Sequence, residues 1–313
     1  MIPFDEKYCL ETFKRLLAVD STTGQYEEIQ KLLCAILDEL GYPYTVARKG
    51  GVIADMGGEG NALCLTAHVD DIGLMVRHVN GDGTLNVCSV GGLYPFYCVT
   101  ENVRVYTRDG KAYTGAVCRT PNSIHVTEEE LRTVLPDFRT NVCVVLDAET
   151  HSAEETKALG VDTGDIIALE PRMTVSGGYI KSRFVDDKAC AAVLLTVMKA
   201  IRDNKVKLPR KVLAYFAQYE EIGHGTTWLP EGVKDYLVSN PEICDGIEQQ
   251  IMFAEKSWGR YQVLDVQDAS MTLKVTLKAG QSMSYHAHAH RDEVWTVVSG
   301  DGEVLVDGMA QAV

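Results

Sequence analysis

The sequence predicts an α/β fold that is interrupted by a small β-rich insert and followed by a separate all-β segment. Three observations carry this reading. Amphipathic helical patterns alternate with short apolar runs over 1–73 and again over 166–238. Between them, over 74–165, the pattern changes to short β runs separated by turn signals such as "NGDG" and "RDG". From 250 to 313, strands follow one another with no helical periodicity between them. A seam is expected in "VSNPEICDGIEQQ" (238–250).

The elements follow in order. Residues 6–19 and 25–40 read as helices, the second with Ile29, Leu32, Leu33, Ile36, Leu37 and Leu40 on one stripe. "NALCLTAHV" (61–69) reads as a strand ending in polar residues. Inside the insert, Thr127 with Glu130 and Ser152 with Glu155 have capping-box spacing and predict two short helices. "GYIKSRFVDD" leads into a helix at 187–203 with Val193, Leu194, Val197, Met198 and Ile201 on its apolar side. "KVLAYFAQYEE" (211–221) is a buried strand followed by acids, which point apart if the chain stays extended. The last strands are "RYQVLDV", "MTLKVTLKAG", "DEVWTVVSG" and "GEVLVDG".

Composition narrows the function classes. A net charge of −14 argues against nucleic acid or an anionic membrane as partner, since both need a basic footprint. The first residues lack a basic stretch followed by an apolar one, so no signal peptide is expected. No apolar run approaches the ~20 residues of a membrane span. Nine cysteines, an odd number with no CxxC pair, fit thiols in a reducing cytoplasm.

Three clusters carry chemistry: "AHVDDIG" (67–73), "FVDDKAC" (184–190) and "QYEEIGHGT" (218–226). Each ends or begins a buried α/β element, where sites gather. His68 can bind a metal, and Asp70, two residues on, can orient its imidazole. Asp186 has two oxygens and can bridge two metals. Of Glu220 and Glu221, one can bind a metal while the other holds a water as general base.

"AHVDDIGLMV", "FVDDKACAAVLL" and "EEIGHGTTWLPEGV", in this order, resemble the tetrahedral aminopeptidases, a family of cytoplasmic dinuclear metallopeptidases related to glutamyl aminopeptidases. The resemblance covers about 1–238. It implies a phosphorylase/hydrolase-like metallopeptidase domain with an inserted β-domain, two divalent metals (Zn or Co, with Mn also compatible), peptide substrates and a large homo-oligomer. By motif, His68, Asp186 and Glu221 are the implied metal ligands, Asp186 bridges, Asp70 stands behind His68, and Glu220 is the general base. Cys190 stands where the family usually has glycine. Two further family ligands, an Asp after the next strand and a later His, have no clear counterpart. Asn240 stands near the place of the Asp, with Asp235, Asp245 and His224 as substitutes, and the domain is expected to be truncated. His78, His125 and His151 are expected to be structural or exposed.

A second resemblance covers about 250–313. The spacing of Gly280, His286, His288, Glu293 and Gly300, with "AEKSWGRYQVLD" (254–265), looks like the first cupin motif and the C-terminal module of mannose-1-phosphate guanylyltransferase/mannose-6-phosphate isomerases. It implies an incomplete β jelly-roll in which His286, His288 and Glu293 bind one divalent metal, with His290 as an outer neighbour. Three functions follow: a metal-dependent aminopeptidase, a cupin-type sugar-phosphate isomerase or metal-binding module, and an inactive fused fragment.

Overall fold

The computed structural model describes residues 3–123, 125–225, 233–238, 253–256, 259–267, 270–282, 299–306 and 309–312. The chain divides into two compact units, Met1–Gly246 and Ile247–Val313.

The first unit opens with two helices. Helix α1 (Glu6–Leu17) starts where the Asp5 carboxylate accepts the Tyr8 N–H, and it carries Lys14 and Arg15 in its last turn, so both ends suit the helix dipole. Helix α2 (Glu27–Leu40) stops at Gly41, whose φ of +71° gives the left-handed cap that glycine adopts without steric cost. Their buried faces are Phe13, Leu16 and Leu17, and Ile29, Leu33, Ile36, Leu37 and Leu40. Strands β1 (Tyr44–Val46), β2 (Val52–Gly57) and β3 (Ala62–His68) come next.

The chain then leaves to build a closed barrel. Its strands are β4 (Gly73–Val79), β5 (Leu85–Val90), β6 (Asn102–Tyr106), β7 (Ala112–Arg119), β8 (Val142–Leu146) and, after helix α3 (Ala153–Ala158), β9 (Ile166–Leu169). The order around the barrel is β4-β5-β8-β7-β6-β9. Alternating side chains such as Val103, Val105, Val117, Val142, Val144 and Ile167 fill it as a core of its own. Helix α3 is capped as its spacing predicts: Ser152 accepts the Glu155 N–H, and the Glu155 carboxylate accepts the N–H of His151. The helix expected from Thr127 and Glu130 is a correction. Only the short 3₁₀ turn Glu129–Leu131 forms, because the Thr127 hydroxyl donates to the Ser123 carbonyl instead of capping.

After the exposed hairpin β10 (Thr174–Ser176) and β11 (Tyr179–Lys181), helix α4 (Val185–Asp203) returns to the first layer, followed by β12 (Val212–Ala217) and β13 (Val233–Val238). The main sheet has the order β1-β2-β12-β3-β13, with β12 antiparallel to β2 and parallel to β3. Helix α4 buries Ala191, Ala192, Leu194, Leu195 and Met198 against α1, α2 and the sheet. Val193, expected on that apolar side, is exposed. At about 100° per residue it falls opposite the stripe through Leu195 and Met198.

The second unit contains a three-stranded antiparallel sheet, β14 (Phe253–Lys256), β15 (Gly259–Gln267) and β16 (Ser270–Leu277), and a hairpin, β17 (Glu303–Val306) with β18 (Met309–Ala312). Among the described residues no helix is long and apolar enough to cross a membrane.

Ile36 is fully buried at the centre of the first core. Ile36→Ala is expected to cost about 2–5 kcal/mol. The exposed Glu28→Ala should stay within about 0.5 kcal/mol of the parent. The midpoint of urea unfolding followed by far-UV circular dichroism reads both.

Candidate metal centre

Strands β3 and β12 run parallel and end side by side, with Ala217 level with His68. The carboxyl ends of such strands are where open α/β sheets gather their sites. His68 is fully buried there. Its Nε2 lies 3.2 Å from Asp186 Oδ1 and 3.3 Å from Glu220 Oε2. Its Nδ1 lies 3.1 Å from the Asp70 carbonyl and 3.6 Å from Asp70 Oδ1.

Asp70 is also fully buried. Its carboxylate accepts from the Thr23 hydroxyl at 2.7 Å and from the backbone N–H groups of Glu220 at 3.2 Å and Glu221 at 3.4 Å. One side chain therefore backs the imidazole and anchors the turn that carries the two glutamates. Those glutamates are not extended. They open a 3₁₀ turn, Glu220–Ile222, between Tyr219 at φ +65° and Gly223 at φ +80°. The turn lets both approach His68 instead of pointing apart. Gly91, in the barrel loop after β5, packs against Glu221. A Cβ at its φ of +76° would meet Ile72 Cγ2 at 2.7 Å and the Glu221 carbonyl at 3.1 Å.

Helix α4 becomes regular only after its first residues. Asp186 (φ −81°, ψ 109°) and Asp187 (φ −125°, ψ 16°) lie outside helical dihedrals. Asp186 is exposed, whereas Asp187 is buried and accepts the His68 backbone N–H at 3.1 Å. Ligand-type atoms of His68, Asp186 and Asp187 lie within 4.8 Å of one another, and so do those of His68, Glu220 and Glu221.

Crowded acids reshape the titration of the cluster. Burial pushes the Glu221 carboxyl up to about 8; the His68 charge opposes this, and Glu220, Asp70 and Asp186 add to it. Burial likewise raises Glu220. The hydrogen bond from His68 holds Asp186 low. Burial alone would lower His68, but its hydrogen bonds to Asp186 and Asp70 and the charges of Asp70 and Glu220 carry it to about 11. Such a donor set, one imidazole among carboxylates with excess negative charge, fits divalent cations that accept nitrogen and oxygen ligands.

Residues 50–288 match the family model described as M42 glutamyl aminopeptidase. The chain belongs to this family. The M42 match continues through the seam expected at 238–250. Among relatives, YhfE of Bacillus subtilis is 32% identical over 242 residues, covering 76% of this chain and 69% of that protein. The lysyl aminopeptidase of Pyrococcus furiosus is 25% identical over 252 residues, covering 79% of this chain and 67% of that one. Among solved structures, the TET1 peptidase of Pyrococcus horikoshii, described as assembling into a tetrahedron or a large octahedral shell, superposes with a TM-score of 0.64 at 24% identity, over 74% of this chain and 68% of that one. The chain thus spans about two thirds of the length of these relatives. The shared architecture is the phosphorylase/hydrolase-like fold of the M42 TET aminopeptidases. A stretch of 53 residues is 38% identical to the mannose-1-phosphate guanylyltransferase of Escherichia coli, covering 17% of this chain and 11% of that protein.

In this M42 chain the structure brings His68, Asp70, Asp186, Glu220 and Glu221 together. The suggested substitutes fare differently. His224 is exposed and outside both donor groups. Asp235 aligns with Leu63, five residues along β3 from His68 and so roughly 16 Å away, which corrects its candidacy. Asn240, Asp245, His286, His288, His290 and Glu293 lie outside the described residues. His78, His125 and His151 are exposed, as is Cys190.

Sequence reasoning missed a supporting layer. Lys188, 1% exposed, donates to Asp71 Oδ2 at 2.5 Å and to the Val19 carbonyl at 3.0 Å. The Ser21 hydroxyl lies 2.6 Å from the Val69 carbonyl and 3.1 Å from Asp71 Oδ2. Arg104 and Tyr106 of the barrel donate to Asp20, next in the same loop. The signal for this layer was the doubled acid in both "HVDD" and "VDDK", the second with a lysine attached.

The electrostatics fix a sign for the chelator-treated chain. Glu221 is raised from 4.5 to about 8, so the stability contributed by its protonated form is lost as pH climbs through about 8. His68 is raised from 6.5 to about 11, so its contribution is full below 6.5 and lost toward about 11. Both predict a thermal midpoint that falls from about pH 5 to about pH 9, and added Zn²⁺ should flatten the fall. Differential scanning fluorimetry checks this, and a rising midpoint over that window contradicts it.

Proposed function

We propose that the chain removes N-terminal residues from peptides, using two divalent cations, Zn²⁺ or Co²⁺, held where β3, α4 and β12 meet. The observation that carries this is the convergence of His68, Asp186, Glu220 and Glu221 in front of a buried Asp70, in a member of the M42 family. When bound, such cations would polarise the scissile carbonyl and make the attacking water more acidic.

The residues divide the remaining work. His68, Asp186 and Glu221 would hold the cations. Asp70 fixes the imidazole so that Nε2 faces the cluster. Glu220 Oε2 accepts the proton of the attacking water and returns it to the departing amine nitrogen. Its burial raises its carboxyl above the ordinary carboxylate value, the direction that favours a general base. The assemblies of the TET1 relative favour a homo-oligomer, and free cysteines favour the cytoplasm.

The similarity to mannose-1-phosphate guanylyltransferase favours a second, independent reading of the end of the chain. On that reading His286, His288 and Glu293 would bind one divalent metal, in a sugar-phosphate or metal-binding module.

Hydrolysis of aminoacyl anilides with added Zn²⁺ or Co²⁺ tests both. Glu220→Gln is expected to lower kcat by about 100- to 10,000-fold while metal content stays unchanged. His68→Ala should lose both metal and activity. His288→Ala should leave the rate untouched and remove one metal per chain. No hydrolysis with any residue or metal would leave the chain an inactive relative of its family.

A further inference from the structure

Lys188 and Asp71 take no part in the chemistry above, yet they are among the most completely enclosed charges in the molecule. We propose that this ion pair is a positioning clamp that sets the spacing between the end of β3, with His68 and Asp70, and the start of α4, with Asp186. The inference rests on the reading that this cluster holds divalent cations.

Location is the first argument. Asp71 directly follows Asp70, which backs His68, and Lys188 stands two residues past Asp186, so the pair joins the two ligand-bearing segments close to the ligands themselves. A second tie runs alongside it, from the His68 backbone N–H to Asp187 Oδ2 at 3.1 Å. A single hydrogen bond would let the start of α4 pivot about it; two ties, at 187 and 188 on α4 and at 68 and 71 on the segment that ends β3, remove the pivot. The start of α4 needs outside support, because Asp186 and Asp187 lack helical dihedrals and so stand outside the regular helical ladder.

The loop after α1 locks the pair from a third side. Thr22 bridges to Asp71 in parallel fashion, the Thr23 N–H donates to the Asp71 carbonyl at 3.0 Å, and the Asp71 N–H donates to the Ser21 carbonyl at 2.9 Å. Lys188 reaches the Val19 carbonyl of the same loop, and Thr23 of that loop holds Asp70. A shift of Asp71 is thereby transmitted to Asp70 and to the imidazole that Asp70 backs.

Lys188 is a positioning residue, not a catalytic one. Its ammonium is spent on Asp71 and Val19 and lies 5.6 Å from the centre of the Phe184 ring, and the residue is 1% exposed. Stability alone is a poor reason for the pair, since enclosing two charges in place of a well-packed apolar contact gives no stability advantage.

The test uses cobalt binding by the full chain. The double variant Lys188→Met/Asp71→Leu replaces the pair with an apolar contact. It is expected to keep the far-UV spectrum and a thermal midpoint at or above that of the parent. Its Co²⁺ affinity should fall by about 10- to 100-fold, with a changed visible absorption band. A folded double variant with the parent's affinity and band overturns the clamp while leaving the metal reading intact. A parent chain that binds no Co²⁺ overturns both. A second measurement needs no variant. Hydrogen exchange of the parent should show that Co²⁺ raises protection in 19–23, 69–71 and 185–189 together. Protection confined to 68 and 220–221 overturns the clamp.

Discussion

Asp70, Asp186, Asp187, Glu220 and Glu221 gather around one buried imidazole, and the repulsion among them is the constraint that the rest of the first unit answers. Charges of one sign a few ångströms apart, with little water between them, repel strongly. Three features of the fold hold them together against this. The donors that converge on Asp70 satisfy one carboxylate completely enough to serve as a fixed backstop. Asp187 is turned inward to a backbone amide. The imidazole itself is drawn toward positive charge by Asp186, Asp70 and Glu220. Such a donor set suits a compact, doubly positive partner.

The barrel contributes to the same site from outside the sheet. It has a separate core, but it touches the site at Gly91, where the loop after β5 packs against Glu221, and at Asp20, where Arg104 and Tyr106 grip the loop that supports Asp70 and Asp71. The insert is therefore not a passenger. Its strands help define where two acidic segments of the other layer stand.

How much of this was legible follows from what each feature depends on. Helix faces depend on local periodicity, so α1 and α2 were readable, and the one error on α4, Val193, concerns an apolar residue that falls opposite the buried stripe. The acidic clusters were readable because each adjoins an apolar run. Their roles came through family likeness, since no local pattern separates a ligand from a solvated acid. The turn at Glu220 was hidden because it needs a left-handed Tyr219, a residue that gives no turn signal. The pair of Lys188 and Asp71 was hidden for another reason: its members stand 117 positions apart, and each alone looks like a surface charge. Thr127 shows the opposite failure, a correct cap spacing overridden by a nearer carbonyl.

The sheet order has a consequence for synthesis. Strands β2 and β3 are consecutive in the chain, yet β12 lies between them. A nascent chain that has emerged only through the barrel therefore holds β2 and β3 with facing edges open, each a template for pairing with another chain. The barrel is made of residues that are nearer one another in sequence, so it can close while the sheet still waits for its central strand. Only when β12 enters the gap are His68 and Glu220 brought to the same end of the sheet. Closing the sheet and assembling the ligand cluster are thus one event, and until it happens the most exposed liability of the young polypeptide sits beside its unfinished centre.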